Sequence, residues 1–418
     1  MEARPEREER PVIVTGLDRL ARDPAMLAGR RYGVLAHAAA ATSSPPRSIV
    51  EALTTAAGAP LRLFSPEHGF WAVEQDMIAS EHERDPFFGV ETVSLYGSSE
   101  ASLQPSADAF AGLDLLLIDL QDIGNRVYTY AATAVWTAQA AIAAGVEVWL
   151  LDRPNPLGGE QVEGNLRREG YESFVSAFRL PMRHGLTLGE LLRLEGKRRR
   201  WDDAGLRVVE LLGWQREPPP AAGPGWRWRT PSPNLPTLGG AIVFPGSVLI
   251  EATEISEGRG TTRPFELIGS PGLPGAELAR AMNDRGIPGV VYLPVRFRPQ
   301  FQKHARNVCD GVEIVVTDAA VFPSYRAGVE LVRAIHQIAP AALEWRRAPY
   351  EFVSDRHAID LLTGGDEFRT RLEGGGDIDA WIASWRADEE EFVAESESVL
   401  LYGERHPAPV SPWASAAR

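Results

Sequence analysis

Three stretches of this sequence combine acidic, amide and turn-forming residues in a way that suits work on a polar ligand. They are Ser65-Pro66-Glu67-His68-Gly69-Phe70, Leu120-Gln121-Asp122-Ile123-Gly124-Asn125-Arg126 and Asp152-Arg153-Pro154-Asn155-Pro156-Leu157-Gly158-Gly159. Each sets a carboxylate in a turn whose path Pro or Gly fixes. Carboxyl groups brought together at one cleft suit general acid–base work: one gives up a proton, and the other takes one or steadies a positive charge. Glu67 leads the candidates, because a Pro before it and His-Gly after it make a rigid turn that lifts the side chain into a cleft. Read as the acid, it needs a raised pKa, which burial or neighbouring carboxylates would supply. Asp122 comes first as its partner, then Glu254 or Glu257. For Asp119 and Asp152 capping competes, since an acid at a strand end can accept backbone N–H groups of its own turn.

Further polar residues surround these turns. The loop Glu254–Pro264 (EISEGRGTTRP) holds Glu254, Glu257, Arg259 and Arg263. Two arginines among Gly and Thr can grip a carboxylate or sugar hydroxyls bidentately. A salt-bridged loop joining two domains has the same composition and is the favoured reading. Arg183-His184-Gly185 precedes a helix with Thr187 as N-cap and Glu190 at the capping-box position. Tyr128, Tyr130, Trp71, Trp226 and Trp228 flank the loops; rings suit sugar faces, and core packing explains them equally well.

The elements that must position these residues alternate. Apolar runs at Tyr32–Ala36, Leu61–Phe64, Thr92–Tyr96 (at an edge), Asp114–Asp119, Val146–Leu151 and Leu206–Leu212 read as strands. Helical stretches at Ser48–Ala57, Tyr128–Ala144 and Thr187–Lys197 separate them. Such alternation implies a parallel sheet covered on both faces. The turns named above leave the carboxyl ends of three strands, where open α/β sheets bind ligands. The Pro-, Gly- and Trp-rich segment Glu217–Thr237 is either a linker or a loop packed over a cleft by Trp226 and Trp228. Beyond it, helices at Gly275–Asp284 and Ser324–Ala339 and strands at Gly289–Arg296 and Val312–Thr317 indicate an α+β unit. Shorter elements follow at Tyr350–Leu362, Asp377–Arg386 and Asp388–Ser398. The 418 residues thus divide into a Rossmann-like α/β domain (12–262), a smaller α+β C-terminal domain closing the cleft (263–402) and a disordered tail (403–418).

Composition narrows the function. Lys plus Arg is 43 against 57 for Asp plus Glu, a net charge of −14, which disfavours nucleic acid as a partner. Cys309 is the single cysteine, so neither a disulfide within the chain nor a Cys-based zinc site is expected. Met1–Pro11 lacks an apolar core of the signal-peptide kind, and Tyr128–Leu151 reads as a buried helix and strand, not a membrane span; a cytoplasmic protein is expected. No GxGxxG follows the first strand, and no Walker loop, HExxH or GxSxG is present, so no cofactor or metal is implied.

Seven ordered blocks carry a resemblance: SPEHGF (Ser65–Phe70), DLQDIGNRVYTY (Asp119–Tyr130), LDRPNPLGG (Leu151–Gly159), VEGN (Val162–Asn165), PMRHGLTLGEL (Pro181–Leu191), TPSPNLPT (Thr230–Thr237) and EATEISEGRGTTRPFE (Glu251–Glu266). Over roughly residues 12–402 the chain resembles the bacterial exo-β-N-acetylmuramidase family, NamZ type. The resemblance implies a Rossmann-like domain with a smaller C-terminal domain and a cleft between them. It implies release of N-acetylmuramic acid from the non-reducing end of peptidoglycan fragments, with Glu67 at the family's catalytic position. His68, Arg126, Tyr128, Asp152, Asn155, His184, Glu254, Glu257, Arg259 and Arg263 are then the candidates for substrate contact, Arg259 or Arg263 for the lactyl carboxylate. Two loops, His37–Thr42 and Trp71–Asp76, depart from the family pattern. A muropeptide-binding protein without turnover is the alternative.

Overall fold

The computed structural model describes residues 11–201, 205–218, 222–223 and 225–405. Seven strands form the N-terminal sheet: β1 (Tyr32–Ala36), β2 (Arg62–Ser65), β3 (Glu83–Arg84), β4 (Glu91–Ser94), β5 (Leu115–Asp119), β6 (Glu147–Leu151) and β7 (Leu206–Val209). Their order is β3-β4-β2-β1-β5-β6-β7, all parallel except β3. The edge position expected for the Thr92 strand belongs instead to β3, two exposed residues pairing antiparallel with β4. β1 and β5 are buried along their whole length, as continuous apolar runs demand.

Helices α1 (Gly16–Arg22) and α2 (Ile49–Ala57) lie over one face, where Leu17, Leu20, Ile49 and Leu53 pack on Val34, Leu63 and Leu115. Helices α3 (Tyr130–Ala143) and α4 (Leu188–Arg199) contribute to the other face. α3 is Ala-rich because it is buried nearly all round, and Gly145 follows it at φ +76°, the left-handed stop expected there. Thr187 caps α4 through a capping box with Glu190. The Pro-rich segment is a packed loop: it contains the short hairpin β8 (Ala222–Gly223) and β9 (Trp226–Arg227), Trp226 is buried, and Tyr130 Oη donates to the Pro231 carbonyl at 2.7 Å.

The C-terminal unit holds a three-stranded antiparallel sheet, β10 (Leu267–Ser270), β12 (Cys309–Val316) and β11 (Val290–Phe297) in that order. Around it stand α5 (Leu238–Ser247), α6 (Gly275–Asp284), α7 (Ser324–Ile338), α8 (Ala358–Thr363), α9 (Glu367–Gly374) and α10 (Ile378–Ser396). The two elements expected at 377–398 are one helix, α10, since nothing between Arg386 and Asp388 breaks it. α5 packs on α7 so closely that a Cβ on Gly246 would stand 2.0 Å from the Ser324 carbonyl oxygen. One apolar core runs from the N-terminal sheet through Phe244 and Phe265 into the C-terminal unit. Gly403–Arg405, expected to be disordered, are anchored: Arg216 Nε donates to the Gly403 carbonyl, and Arg405 Nε to the Gly159 carbonyl. The rest of that tail, 406–418, and residues 1–10 lie outside the described residues.

Candidate active site

The sheet order changes direction at β1, with β2 on one side and β5 on the other. A crevice opens at such a switch point. Three chain segments meet there: His37 after β1, Glu67 after β2, and the Leu120–Thr129 turn after β5. His37 is fully buried, and its Nε2 accepts the Gln121 N–H at 2.9 Å. Burial is the main cause holding this imidazole down at about 3, and it stays neutral.

Glu67 is 5% exposed. Behind it, His68 and Gly69 both adopt left-handed φ, +71° and +76°, so the turn folds back sharply and presents the carboxyl group outward from the strand. For histidine this conformation is uncommon and is the kind of strain that collects at functional sites. His68 Nδ1 meets the Glu74 carbonyl at 2.9 Å, which makes Nδ1 the protonated nitrogen and Nε2 the acceptor in the neutral ring. Thr129, at the start of α3, donates its hydroxyl to Glu67 Oε2 at 2.7 Å. The carboxyl group thus sits at the N-terminus of a 14-residue helix, which favours negative charge.

The opposite wall comes from the C-terminal unit. Tyr350 and Val353 exchange two backbone hydrogen bonds of 2.9 Å, closing a two-residue loop of Glu351 and Phe352. Glu351 is buried and receives the Tyr96 hydroxyl at 3.0 Å; Phe352 packs on the Tyr96 ring, 5.4 Å between centroids. Burial, and next the Glu67 charge, push the Glu351 carboxyl well above the usual carboxylate range. Alongside lies an ionic cluster. Arg259 bonds Glu251 at 2.6 Å and Glu257 at 3.2 Å, with Asp76 at 3.6 Å. Lys303 Nζ bonds Glu257 at 2.9 Å and the Ile250 and Ile255 carbonyls at 3.0 and 3.1 Å. Burial would raise Glu257, but Lys303 and Arg259 outweigh it and hold it at about 2, a permanent carboxylate.

Two matching family descriptions cover nearly the whole chain: "Exo-beta-N-acetylmuramidase NamZ, N-terminal" over residues 32–239 and its C-terminal counterpart over 242–402. The chain belongs to the NamZ family. It is 35% identical over 399 residues to a peptidoglycan β-N-acetylmuramidase NamZ of Bacillus subtilis, covering 94% of this chain and 92% of that protein. Two crystal structures of DUF1343 family proteins from Bacteroides fragilis share the fold. One has a TM-score of 0.82 at 27% identity, the other 0.69 at 25%; each covers 94% of this chain and 100% of its own. The two NamZ matches meet between residues 239 and 242, where α5 begins and packs on α7.

Within this NamZ chain, Glu67, His68, Tyr128, Glu257 and Arg259 gather in or beside the crevice. Tyr128 packs at a tilt of 57° against Tyr130, 4.9 Å between ring centroids, under the charges of both Asp122 and Glu67. Arg259 is not free to hold a substrate carboxylate, being already paired with Glu251 and Glu257. Five other candidates have structural duties. Asp152 is fully buried and accepts from the Thr187 hydroxyl at 2.7 Å, the Gly189 N–H at 3.0 Å and the Tyr402 hydroxyl at 2.6 Å, so capping accounts for it. Asn155 bridges the Leu157 N–H and the Leu186 carbonyl. Arg126 holds the Asn165, Leu180 and Leu362 carbonyls. His184 is wholly buried, accepts the Leu186 N–H and is held down at about 3, chiefly by burial. Arg263 pairs with Glu266 and Glu313 on the β10–β12 sheet. The Glu254 side chain is exposed; it is its backbone that bonds Glu344 and His304. The departing loop 71–76 is pinned across the cleft: Asp76 takes Gln302 and Arg259, and Gln75 takes Asn234 at 2.8 Å.

Asp122 turns back on its own loop, accepting the Gly124 N–H at 2.7 Å on Oδ2, while Oδ1 is buried without a partner among the described residues. Burial pushes it up to about 7. Its folded-state pKa therefore lies above the unfolded value of 3.8, and its contribution to stability is complete below about 4 and lost as pH rises through 7. Asp122→Asn should flatten this decline, leaving the variant more stable relative to wild type at pH 8 than at pH 4, with turnover within about tenfold of wild type, less than a proton-transferring group contributes. Melting temperatures across that range and one activity assay check it; a large loss of turnover would restore Asp122 as the second carboxyl group.

Glu351, Tyr96 and Thr129 do not stand out in the sequence. The only local signal is an acid flanked by aromatics in Pro349-Tyr350-Glu351-Phe352, which any packed loop can show.

Proposed function

We propose that this chain is an exo-β-N-acetylmuramidase, a glycosidase that frees N-acetylmuramic acid from the non-reducing end of peptidoglycan fragments, with Glu67 acting at the reacting centre. One observation carries the reading. In a chain 35% identical to a peptidoglycan β-N-acetylmuramidase, Glu67 stands at the sheet's switch point, on a strained turn, with a donor on Oε2, and a second buried carboxyl group, Glu351 of the other unit, is held by Tyr96 from the neighbouring strand end. A pair of carboxyl groups across a crevice is what glycoside hydrolysis requires. His68 and Tyr128 are the wall residues placed to meet the sugar. The acidic balance of the chain argues against nucleic acid as a partner. Among the described residues no helix is long and apolar enough to cross a membrane. Action in the cytoplasm on fragments being recycled is part of the proposal, and cell fractionation tests it.

The decisive assay compares an aryl β-N-acetylmuramide with the matching β-N-acetylglucosaminide. Release from the muramide, at least tenfold faster than from the glucosaminide, is expected, since the lactyl substituent is larger than the single methylene that a pocket discriminates by about tenfold or more. Release from neither, with muropeptide binding intact, would overturn the enzymatic reading.

A further inference from the structure

We propose that Glu351 is the second catalytic carboxyl group, the proton donor to the leaving oxygen, and that Glu67 is the carboxylate facing the anomeric carbon. The assignment rests on the glycosidase reading above and moves the acid role expected of Glu67 to a residue 284 positions later in the chain. Three observations carry it. The first is backbone conformation. Glu351 and Phe352 have φ of +45° and +68°. Positive φ at both central residues of a two-residue hairpin is the arrangement that Asn-Gly suits; a long acid and an aromatic are costly there. A loop built for stability alone would not place them so, whereas a loop that must aim a carboxyl group at a fixed point would.

The second is the unlike company of the two carboxyl groups. Glu67 takes the Thr129 hydroxyl at a helix N-terminus, the setting of a carboxylate. Glu351 accepts the Tyr96 hydroxyl, and the charges acting most on it, those of Glu67, Glu251 and Asp76, are all negative. Arg259 and Lys303 are taken by Glu251 and Glu257, and the third cation here, Arg346, lies over the Tyr350 ring with Nη2 toward the Pro349 carbonyl at 3.5 Å. Paired carboxyl groups held in environments this different divide into an acid and a base. The third is position: Ser65 and Ser94 are partners in the parallel β2–β4 pair, so Glu67 and Tyr96 leave neighbouring strand ends together, and the Tyr96 hydroxyl holds Glu351 of the other unit at 3.0 Å at that same end of the sheet.

The step balances. The Glu351 proton passes to the glycosidic oxygen, which leaves with the electron pair of its bond to C1. Glu67 stabilises the positive charge left at C1. A water then gives its oxygen to C1, and the proton it releases returns to Glu351. One water is consumed and one glycosidic bond is opened.

Leaving-group dependence tests this, because an acid catalyst matters only when the leaving oxygen is basic. Wild type, Glu351→Gln and Glu351→Asn are compared by kcat/KM, which reports departure of the leaving group and not the later water step, on a disaccharide with N-acetylmuramic acid at its non-reducing end and on a dinitrophenyl β-N-acetylmuramide. Asn tolerates the positive φ and keeps the comparison alive if Gln does not fold. Loss of about 100-fold or more on the disaccharide, with the dinitrophenyl glycoside within about tenfold of wild type, is the expected result. Equal losses on both substrates, or no loss on either, would overturn the assignment and leave Glu351 a structural residue. A wild type inert on both would overturn the glycosidase reading itself, and this proposal with it.

Discussion

Glu67→Gln should lower kcat/KM by roughly 10³-fold or more, on every leaving group alike, while the melting curve stays where it is. The size is that of a group acting directly on the reacting centre, about 4 kcal/mol of transition-state stabilisation. The structure explains why the fold should survive. Gln keeps an oxygen for the Thr129 hydroxyl, and the strain of the His68-Gly69 turn lies in the backbone, which the substitution leaves alone. What Gln cannot supply is negative charge opposite the anomeric carbon. Thr129→Val provides a graded companion: the carboxylate remains but loses its 2.7 Å donor, and a smaller fall is expected. Steady-state kinetics on an aryl muramide decide the matter. A Glu67→Gln enzyme within tenfold of wild type would remove Glu67 from the mechanism.

The second large effect concerns stability. Asp119 is fully buried at the end of β5, and Arg153 bonds it through both Nε and Nη2, the latter at 2.9 Å. Removing one member of such a pair strands a charge away from water. Arg153→Met should cost about 3–5 kcal/mol. Asp119→Asn in the same chain should return a good part of that, because the stranded charge is gone; a double-mutant cycle by urea unfolding measures the coupling. Burial already pushes Asp119 upward against the pull of Arg153, so once alone it can escape by taking a proton, and the cost should shrink as pH falls. A Met variant as stable as wild type at pH 8 would show that water reaches the pair.

Much of the N-terminal half is legible in the sequence because its physics is local. A run such as DLLLID can only be a strand buried on both faces, and SPEHG declares its turn through Pro and Gly. Glu67 is therefore conspicuous from its neighbours alone. Charges behave otherwise. Composition favours a salt-bridged loop around Arg259 and Arg263, but it does not identify their partners, because Glu251 and Asp76 for one and Glu313 for the other lie on separate segments that no spacing rule connects. His184 and Asn155 sit in promising motifs, yet each is engaged by its own turn. Glu351 stays hidden for the opposite reason: its loop has neither Asn nor Gly to announce a two-residue turn, and its importance comes from what faces it across the cleft. Pattern reveals where a chain turns, and much less well which distant side chain it turns toward.

The stretch from Leu401 to Arg405 has a consequence for how the molecule is made. Its groups complete the polar wiring of the N-terminal sheet: the Leu401 N–H reaches Glu190 at 2.9 Å, the Tyr402 hydroxyl reaches Asp152, and Arg405 reaches the His184 and Gly159 carbonyls. Those partners are translated some 200 residues earlier. Until the late segment arrives, buried carboxylates near the heart of the sheet lack donors they need, a deficit on the order of 1–3 kcal/mol for each missing bond. A polypeptide abandoned before Leu401 would carry Glu67 and Glu351 intact yet hold its sheet loosely, an easy mark for proteolysis. The last described residues thus close a polar network that the first half of the chain leaves open.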